Sequence, residues 1–330
     1  MISRNTLTHV ADMVLVTGAT GFVGRAVIEL LVERRCSVRA AMRRGRALTA
    51  AGASVVTVGD LSAETDWSAA LAGIDAVVHA AARVHVMQDA VADPLVEFRR
   101  VNVQGTLQLA WQAAAEGVRR FVFISSVKVN GEATLPGHPF TADDAPAPLD
   151  AYGISKMEAE QGLREIAAQT GMEVVIIRPP LVYGRGVRAN FHAMMRWLTR
   201  GVPLPLGAIP NQRSLVALDN LVDLIVTCID HPAAVNQTFL VSDGEDLSTT
   251  DLLRRMGRAL GKPARLLPVP PALLKLGAAL LGKPAIAQRL CGSLQVDISK
   301  TRQLLGWSPP LSVDAGLKKA AEGYLSEASV

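Results

Sequence analysis

The stretch Val14-Leu-Val-Thr-Gly-Ala-Thr-Gly-Phe-Val-Gly24 decides the fold. Its first residues predict a short buried strand, and the amphipathic run that begins at Phe22 predicts a helix. The turn between them carries glycines in the spacing G-x-x-G-x-x-G. Such a turn bends tightly and lets a pyrophosphate approach backbone N–H groups at the helix N-terminus, which only small residues allow. In this strand–turn–helix setting the glycines predict a dinucleotide site.

Short β-rich runs alternate with helical stretches through the first half of the chain. Strands are predicted at residues 13–17, 37–42, 54–58, 76–79, 120–125 and 173–178, and helices at 22–34, 67–72, 94–116 and 151–170. This alternation is typical of a parallel sheet covered on both faces. We therefore expect an α/β fold with a Rossmann-type, doubly wound parallel sheet.

Prolines and glycines cluster after Arg178, which indicates irregular backbone. Helices are predicted again at residues 190–199, 219–230, 249–260 and 313–326. We expect a dinucleotide-binding domain over residues 13–178 and a smaller α/β substrate lobe over residues 179–330, with some chain crossing back to the first domain. The ligand cleft would lie between them, outside the carboxyl ends of the strands.

Composition excludes several classes of protein. Of the 330 residues, 49% are hydrophobic and 19% charged, an ordinary globular balance. The net charge of +4, the scattered arginines and the 4% of aromatic residues argue against a nucleic-acid partner and favour small anionic ligands. Cys36, Cys228 and Cys291 lack metal-ligand spacing, so we expect reduced thiols, no metal site and a cytoplasmic protein.

Residues 269–287 form one strongly apolar segment. It is interrupted by Lys275, Gly277, Gly282, Lys283 and Pro284. A membrane span needs about 20 mostly apolar residues in succession. The segment therefore predicts a buried helix or a docking surface rather than a transmembrane span.

The end of the second predicted strand bears on the choice of dinucleotide. An NAD site usually has an acid there that holds the ribose hydroxyls, whereas this chain reads Ala40-Ala-Met-Arg-Arg44. Two guanidinium groups suit a 2′-phosphate, so NADP(H) is favoured over NAD(H). The alternative is a solvated arginine pair. Asp60 ends the third strand, where an acid can cap the adenine edge, and His79 is expected to be a packed strand residue.

The chemistry is indicated by Tyr152-Gly-Ile-Ser-Lys156 and by Ser126. A tyrosine and a lysine four residues apart lie on one face of a helix. A phenol has a pKa of about 10, and an adjacent ammonium favours its ionised form. Ser126 follows the fifth predicted strand and can hold a substrate oxygen against the phenol. With a nicotinamide, this set predicts transfer of a hydride and a proton between carbon and oxygen.

Together these motifs resemble the extended short-chain dehydrogenase/reductase family, in its nucleotide-sugar branch. The segments TGATGFVG, GDL, HAAA, NVQGT, Ser125-Ser126, YGISK and RPxxVYG appear in family order and spacing. The resemblance implies that Tyr152 is the acid/base and that Ser126 holds the reacting oxygen. It implies that Lys156 binds the nicotinamide ribose and lowers the pKa of Tyr152. It also implies a homodimer formed through the helices at 94–116 and 151–170.

Two sets of site residues follow from the motifs and the resemblance. The cofactor set is Gly18, Thr20, Gly21, Phe22, Val23, Gly24, Arg43, Arg44, Asp60, Leu61, Ala80, Ala81, Ala82, Asn102, Tyr152, Lys156, Pro179 and Val182. The substrate set is Ser126, Lys128, Tyr152, Asn190, Arg213 and Arg289. Arg213 would clamp a diphosphate and Arg289 would add a weaker phosphate contact. Asn190 could instead cap a helix, and Lys128 could instead pair with Glu132.

The segment around Lys128, SVKVNGE, looks closest to bacterial 4-ketoreductases. We therefore expect NADPH-dependent reduction of a UDP-4-keto-6-deoxy-N-acetylhexosamine to UDP-N-acetylquinovosamine, for surface (lipopolysaccharide) polysaccharides. Dehydratases of the family carry an acidic pair where this chain has Val127-Lys128, so 4,6-dehydration is not expected. The alternatives are a UDP-glucose or UDP-N-acetylglucosamine 4-epimerase with tightly bound NAD, an idle NADP(H)-sensing Rossmann protein, and a ketoreductase for hydrophobic substrates.

Overall fold

The computed structural model describes residues 11–43, 52–84, 93–135 and 137–328. The strands are β1 (Met13–Thr17), β2 (Ser37–Arg43), β3 (Ser54–Val58), β4 (Ala76–His79), β5 (Arg120–Ile124), β6 (Glu173–Arg178), β7 (Leu181–Tyr183), β8 (Arg213–Ala217), β9 (Thr238–Leu240) and β10 (Asp246–Leu247). The helices are α1 (Phe22–Glu33), α2 (Ser68–Leu71), α3 (Pro94–Phe98), α4 (Gly105–Ala115), α5 (Ala151–Thr170), α6 (Ala189–Thr199), α7 (Leu218–Asp230), α8 (Thr249–Ala259), α9 (Pro271–Leu280), α10 (Pro284–Cys291), α11 (Ser299–Leu305) and α12 (Val313–Ala328).

Seven parallel strands form the main sheet in the order β3-β2-β1-β4-β5-β6-β9. The order reverses direction between β1 and β4, which is the switch point of a doubly wound sheet. Alternate residues of a strand point to opposite faces of the sheet, and helices cover both faces. Val14 and Val16 pack with α1 and α7, while Leu15 packs with α4 and α5. The predicted fold class is confirmed.

A second, three-stranded sheet has the order β10-β8-β7. Its core is shared with α6, α8 and α12, and it includes Phe191, Leu253 and Leu317. The chain reaches this sheet directly from the carboxyl end of β6. The smaller sheet therefore lies on the side where the cofactor and substrate residues are predicted.

The first half matches the sequence-based elements within one or two residues at each boundary, with one difference. The predicted helix over 94–116 is divided, because residues Arg99–Gln104 adopt a π-helical turn between α3 and α4. Such turns occur often at functional sites. The short strands β7 to β10 and helix α11 were not predicted. The apolar segment 269–287, predicted as a buried helix or a docking surface, contains α9 and the start of α10, and no described residue of α9 is buried. No helix among the described residues is long and apolar enough to cross a membrane.

Candidate active site

The glycine turn leaves bare backbone around the start of α1. Gly21 precedes the helix, and no described side chain caps its first turn. Gly18 has a φ of +67°, which favours glycine, and a Cβ there would lie 2.7 Å from the backbone nitrogen of Ala81. A Cβ on Gly24 would lie 2.3 Å from the carbonyl oxygen of Gly18. An uncapped helix start with this close-packed turn fits the pyrophosphate of a dinucleotide.

The ends of β2 and β3 place Arg43 beside Asp60. The Nη1 of Arg43 donates to Oδ1 of Asp60 at 3.3 Å, and both side chains are exposed. Arg44 lies outside the described residues. This edge thus offers a guanidinium that suits a 2′-phosphate and a carboxylate that suits ribose hydroxyls. The preference for NADP(H) stays a prediction.

His79 ends β4 as a buried residue between two hydroxyl groups. Its Nδ1 lies 2.7 Å from Oγ1 of Thr17, and its Nε2 lies 3.0 Å from Oγ1 of Thr106. Burial, with a smaller effect from the charge of Lys156, lowers the pKa of His79 to about 3. The imidazole is neutral at physiological pH, and His79 is the packed strand residue that the sequence predicts.

Asn102 connects the loop after β4 to helix α5. It is buried in the π-helical turn, where its Oδ1 accepts from the backbone nitrogen of Arg83 at 2.8 Å. Its Nδ2 donates to the carbonyl oxygen of Arg83 and to Oγ of Ser155, both at 3.0 Å. The Oγ of Ser155 in turn donates to the carbonyl oxygen of Tyr152 at 2.8 Å. Asn102 thus holds together two backbone segments of the predicted cofactor site.

Ser126 lies in the turn that follows β5, and hydrogen bonds fix its position. Its Oγ accepts from the backbone nitrogen of Lys128 at 3.2 Å. On either side, the nitrogen of Ser125 donates to Ile177 at 2.8 Å and the nitrogen of Val127 donates to Pro179 at 3.0 Å. These bonds fix the backbone around Ser126 while its side chain stays partly exposed.

Tyr152 lies in the first turn of α5. Asp150 caps this helix, because its Oδ1 accepts from the backbone nitrogen of Gly153 at 2.7 Å. The phenol ring packs edge-on against Phe98, with 6.0 Å between ring centres. Burial raises the pKa of Tyr152 above its ordinary value, and the charge of Asp150 raises it further. The predicted lowering of this pKa by Lys156 is therefore wrong for this structure.

The position of Lys156 explains that difference. Its Nζ donates to the carbonyl oxygen of Ile124 at 2.8 Å and lies 4.5 Å from the centre of the Phe123 ring. The same atom is 5.9 Å from the centre of the Tyr152 ring. Burial lowers the pKa of Lys156 to about 7, although Glu160 acts in the opposite direction. The ammonium points toward the end of β5, and the pKa of Tyr152 is set by burial and by Asp150 rather than by Lys156.

Lys128 forms ion pairs with two acids. Its Nζ contacts Asp150, and it lies 3.4 Å from Oε1 of Glu132. The pair with Glu132 is the one that the sequence predicts as an alternative, and the pair with Asp150 was not predicted. Because Asp150 also caps α5, Lys128 is connected to the start of the helix that carries Tyr152. A contact between Lys128 and the substrate stays a prediction.

Strand β8 of the three-stranded sheet brings Arg213 close to the segment of Arg289. The Nη1 of Arg213 donates to the carbonyl oxygens of Arg289 and Gly292 at 3.0 and 3.1 Å. Burial lowers the pKa of the Arg213 guanidinium. Asn190 is exposed in the first turn of α6, and Arg188 occupies the cap position, so the alternative of a capping asparagine is wrong.

The remaining predicted residues lie along the carboxyl edge of the main sheet. Thr20, Phe22 and Val23 belong to the glycine turn and α1, while Leu61 and Ala80, Ala81 and Ala82 follow β3 and β4. Pro179 directly follows β6, and Val182 lies in β7. Sequence reasoning missed the buried or capping residues Phe98, Phe123, Asp150 and Glu160. Of these, Asp150 had a readable signal, because an aspartate directly before a helix is a common cap. Among the described residues no cluster of potential ligands could hold a metal ion.

The geometry agrees with comparisons with known proteins. The profile of the NAD dependent epimerase/dehydratase family matches residues 14–242. The chain belongs to this family. The resemblance to extended short-chain dehydrogenases/reductases is thereby confirmed, and the protein is an enzyme.

Named relatives include two 4-epimerases. The chain is 51% identical over 314 residues to UDP-glucose 4-epimerase of Vibrio cholerae, covering 94% of this chain and 95% of the relative. It is 28% identical over 325 residues to N-acetyl-alpha-D-glucosaminyl-diphospho-ditrans,octacis-undecaprenol 4-epimerase of Escherichia coli O157:H7, covering 94% and 95%. Its fold is similar to that of MoeE5 in complex with UDP-glucose and NAD, with a TM-score of 0.75 and 24% identity over 96% of this chain and 99% of the other.

Proposed function

We propose that the protein is a nicotinamide-dependent 4-epimerase of UDP-hexoses or UDP-N-acetylhexosamines that keeps its dinucleotide bound. The observation that carries this proposal is the 51% identity to a UDP-glucose 4-epimerase over nearly the full length of both chains. This identity supports the epimerase over the reductase. From the sequence alone the reductase is favoured and the epimerase is the alternative. The set of Ser126, Tyr152 and Lys156 supports an active enzyme rather than an idle NADP(H) sensor.

The dinucleotide would be held at the glycine turn and along the carboxyl ends of β1 to β4. When bound, the nicotinamide supplies the acceptor and donor of hydride for the sugar carbon. The bare backbone of Gly18 and Gly21 and the uncapped start of α1 suit the pyrophosphate. Lys156 would bind the ribose, and this contact would compete with its present bond to Ile124.

The residues of the chain itself would handle the proton and the substrate. In an epimerase Tyr152 would accept the proton of the C4 hydroxyl as the sugar is oxidised and would return it to the C4 oxygen as the sugar is reduced. The phenol would therefore have to be ionised before the first step, against the raised pKa that burial gives it here. Ser126 would donate a hydrogen bond to the same oxygen as charge develops on it. Arg213 would contact the diphosphate through the guanidinium nitrogens that its two backbone contacts leave available.

The 4-ketoreductase is the second candidate, and the end of β2 favours it. No acid stands at Met42, and Arg43 offers a guanidinium to a 2′-phosphate. A reductase consumes NADPH and must exchange it, whereas an epimerase regenerates its cofactor in each cycle. The two reactions therefore differ in whether added cofactor is needed.

One experiment separates the two candidates. The purified protein is incubated with UDP-glucose or UDP-N-acetylglucosamine without added cofactor, and inversion at C4 is followed by NMR. In parallel it receives UDP-4-keto-6-deoxy-N-acetylglucosamine with NADPH, and oxidation of the nicotinamide is measured. We expect inversion in the first reaction. NADPH oxidation without inversion would replace the epimerase by the reductase, and the absence of both reactions would overturn the proposal.

A further inference from the structure

Helices α9 and α10 form an apolar hairpin, residues 271–291, on the surface of the smaller lobe. None of the described residues of α9 is buried. Leu280 is 80% exposed and Leu281 is 76% exposed, and Leu273, Leu276 and Ile286 are also largely exposed. Soluble proteins rarely leave several large aliphatic side chains together in water without a binding role.

The exposed leucines lie on one face of α9. Leu273, Leu276 and Leu280 are spaced by three and four residues, which places them in a single stripe. Leu274 points the other way and packs against the core of the lobe. The orientation of the helix is therefore fixed by its inner face, and the outer stripe is presented to a partner.

The charged residues of the sequence interval that contains the hairpin all have one sign. The sequence contains no aspartate or glutamate between Leu252 and Val296. It contains eight cations there: Arg254, Arg255, Arg258, Lys262, Arg265, Lys275, Lys283 and Arg289. Arg254 and Arg255 pair with acids outside this interval. The other six form no ion pair with a described residue, and all six are exposed.

We propose that the apolar hairpin docks on the surface of an anionic lipid bilayer. Leucines enter the boundary between headgroups and acyl chains, and flanking lysines and arginines keep their charges at anionic headgroups. Helices of 10 and 8 residues are too short to span a bilayer, so the chain lies on the surface.

A second copy of the chain fits this surface less well. A twofold interface through the hairpin would bring the cations of both copies together, with no acid within the interval to pair with them. An anionic bilayer instead supplies negative charge to these exposed cations. Charge complementarity therefore selects the lipid surface.

Docking would orient the predicted substrate region. Hydrogen bonds connect Gly292, the residue after α10, to β8 and to the loop that precedes β8. Arg213 and Asn211 both donate to the carbonyl oxygen of Gly292. Asn211 also donates to the carbonyl oxygen of Leu290 at 3.3 Å. A bilayer bound to the hairpin would thus lie next to the segment that carries Arg213. The proposal does not depend on which reaction the enzyme catalyses.

The test is flotation of the full-length protein with vesicles of phosphatidylcholine, alone or mixed with phosphatidylglycerol. We expect flotation with the mixed vesicles and little with phosphatidylcholine alone. The variant Leu276→Glu/Leu280→Glu should bind the mixed vesicles at least about tenfold more weakly, because two charged groups replace the inserted side chains. The control Leu304→Glu changes an exposed leucine on α11 and should bind as wild type does.

Charge reversal tests the second half of the proposal. Lys275→Glu/Lys283→Glu should weaken binding by about 25-fold or more, since each cation near an anionic surface contributes about fivefold. Added salt should weaken binding of the wild type. Circular dichroism and thermal melting check that all variants are folded. Absence of flotation, equal binding to neutral vesicles, or a change only in oligomeric state in Leu276→Glu/Leu280→Glu would overturn the proposal.

Discussion

Arg178 and Glu160 form a two-point ion pair inside the protein, with both side chains almost completely buried. The Nε and Nη2 of Arg178 lie 2.9 and 2.6 Å from the two carboxylate oxygens, and the side chains are 2% and 1% exposed. Ser125 Oγ donates to Glu160 at 2.6 Å, and Arg178 Nη1 donates to Asn130 at 3.0 Å. The pair joins β6 to α5, which carries Tyr152 and Lys156, and through Ser125 to the end of β5, next to Ser126.

Loss of Glu160 should destabilise the whole domain. Glu160→Ala leaves the guanidinium of Arg178 buried without its counter-ion, which costs about 3–5 kcal/mol of unfolding free energy. The matched control is Glu158→Ala on the same helix, whose pair with Arg99 lies at the surface. That change should cost at most about 1 kcal/mol. Urea denaturation measures the free energy of unfolding of both variants. Equal losses would show that burial of the ion pair does not determine its contribution to stability.

The depressed pKa of Lys156 predicts how stability depends on pH. The folded pKa is about 7, below the ordinary value of 10.5. Between these values the unfolded chain binds a proton that the folded chain does not, so this residue makes stability rise with pH. The difference in unfolding free energy between wild type and Lys156→Met should increase from about pH 7 toward pH 10, by at most about 1.4 kcal/mol per pH unit. A flat difference would mean that Lys156 keeps its ordinary pKa.

Tyr152→Phe should remove most of the turnover and leave dinucleotide binding intact. Proton transfer by a positioned acid or base is worth about 10²–10⁴-fold, so kcat should fall by that factor. Tyr324→Phe, which removes a phenol hydroxyl on α12, is the control and should turn over normally. The measurements are steady-state kinetics and dinucleotide titration. Turnover of Tyr152→Phe within a few-fold of wild type would exclude Tyr152 as the acid or base.

The sequence predicts the main sheet well because its signals are local. Strands β1, β3, β4 and β6 and helix α5 have the predicted bounds, since apolar runs and a capping aspartate mark their ends. Strand β9 has three residues, and its pairing with β6 depends on chain more than 60 residues away. No local pattern identifies a strand whose stability comes from such a distant partner.

The site is predictable in its residues but not in its electrostatics. Spacing and order alone predict Ser126, Tyr152 and Lys156 as the catalytic residues, and their roles stay predictions. The pKa shifts of Tyr152 and Lys156 depend on burial, which the packing of Phe98 and Phe123 decides. The spacing of four residues does place the two side chains next to each other, with 5.9 Å between Nζ of Lys156 and the centre of the Tyr152 ring. It does not show that Nζ donates to the carbonyl oxygen of Ile124. The direction in which a buried side chain points depends on tertiary packing.

Arg43 and Asp60 should set the choice of dinucleotide in opposite directions. Arg43→Ala removes a charge-assisted contact to a 2′-phosphate and should weaken binding of NADPH by about tenfold or more, with little effect on NADH. Asp60→Ala removes the neighbouring negative charge, so it should strengthen NADPH binding. Fluorescence titration of both dinucleotides measures this. Equal effects of Arg43→Ala on NADPH and NADH would place this side chain away from the 2′ position.

Two glycines in helices should respond oppositely to alanine. The Cβ of Gly24→Ala in α1 would lie 2.3 Å from the Gly18 carbonyl oxygen, which is backbone and moves only if the turn moves. We expect a loss of about 1–3 kcal/mol in unfolding free energy, and weaker dinucleotide binding because the turn is displaced. A Cβ on Gly277 in α9 would meet no described atom within 4 Å, and this glycine has no positive φ. Gly277→Ala should therefore gain up to about 1 kcal/mol through helix propensity. Urea denaturation compares the two, and a loss of the same size in both would mean that close packing against Gly18 is not what requires glycine at position 24.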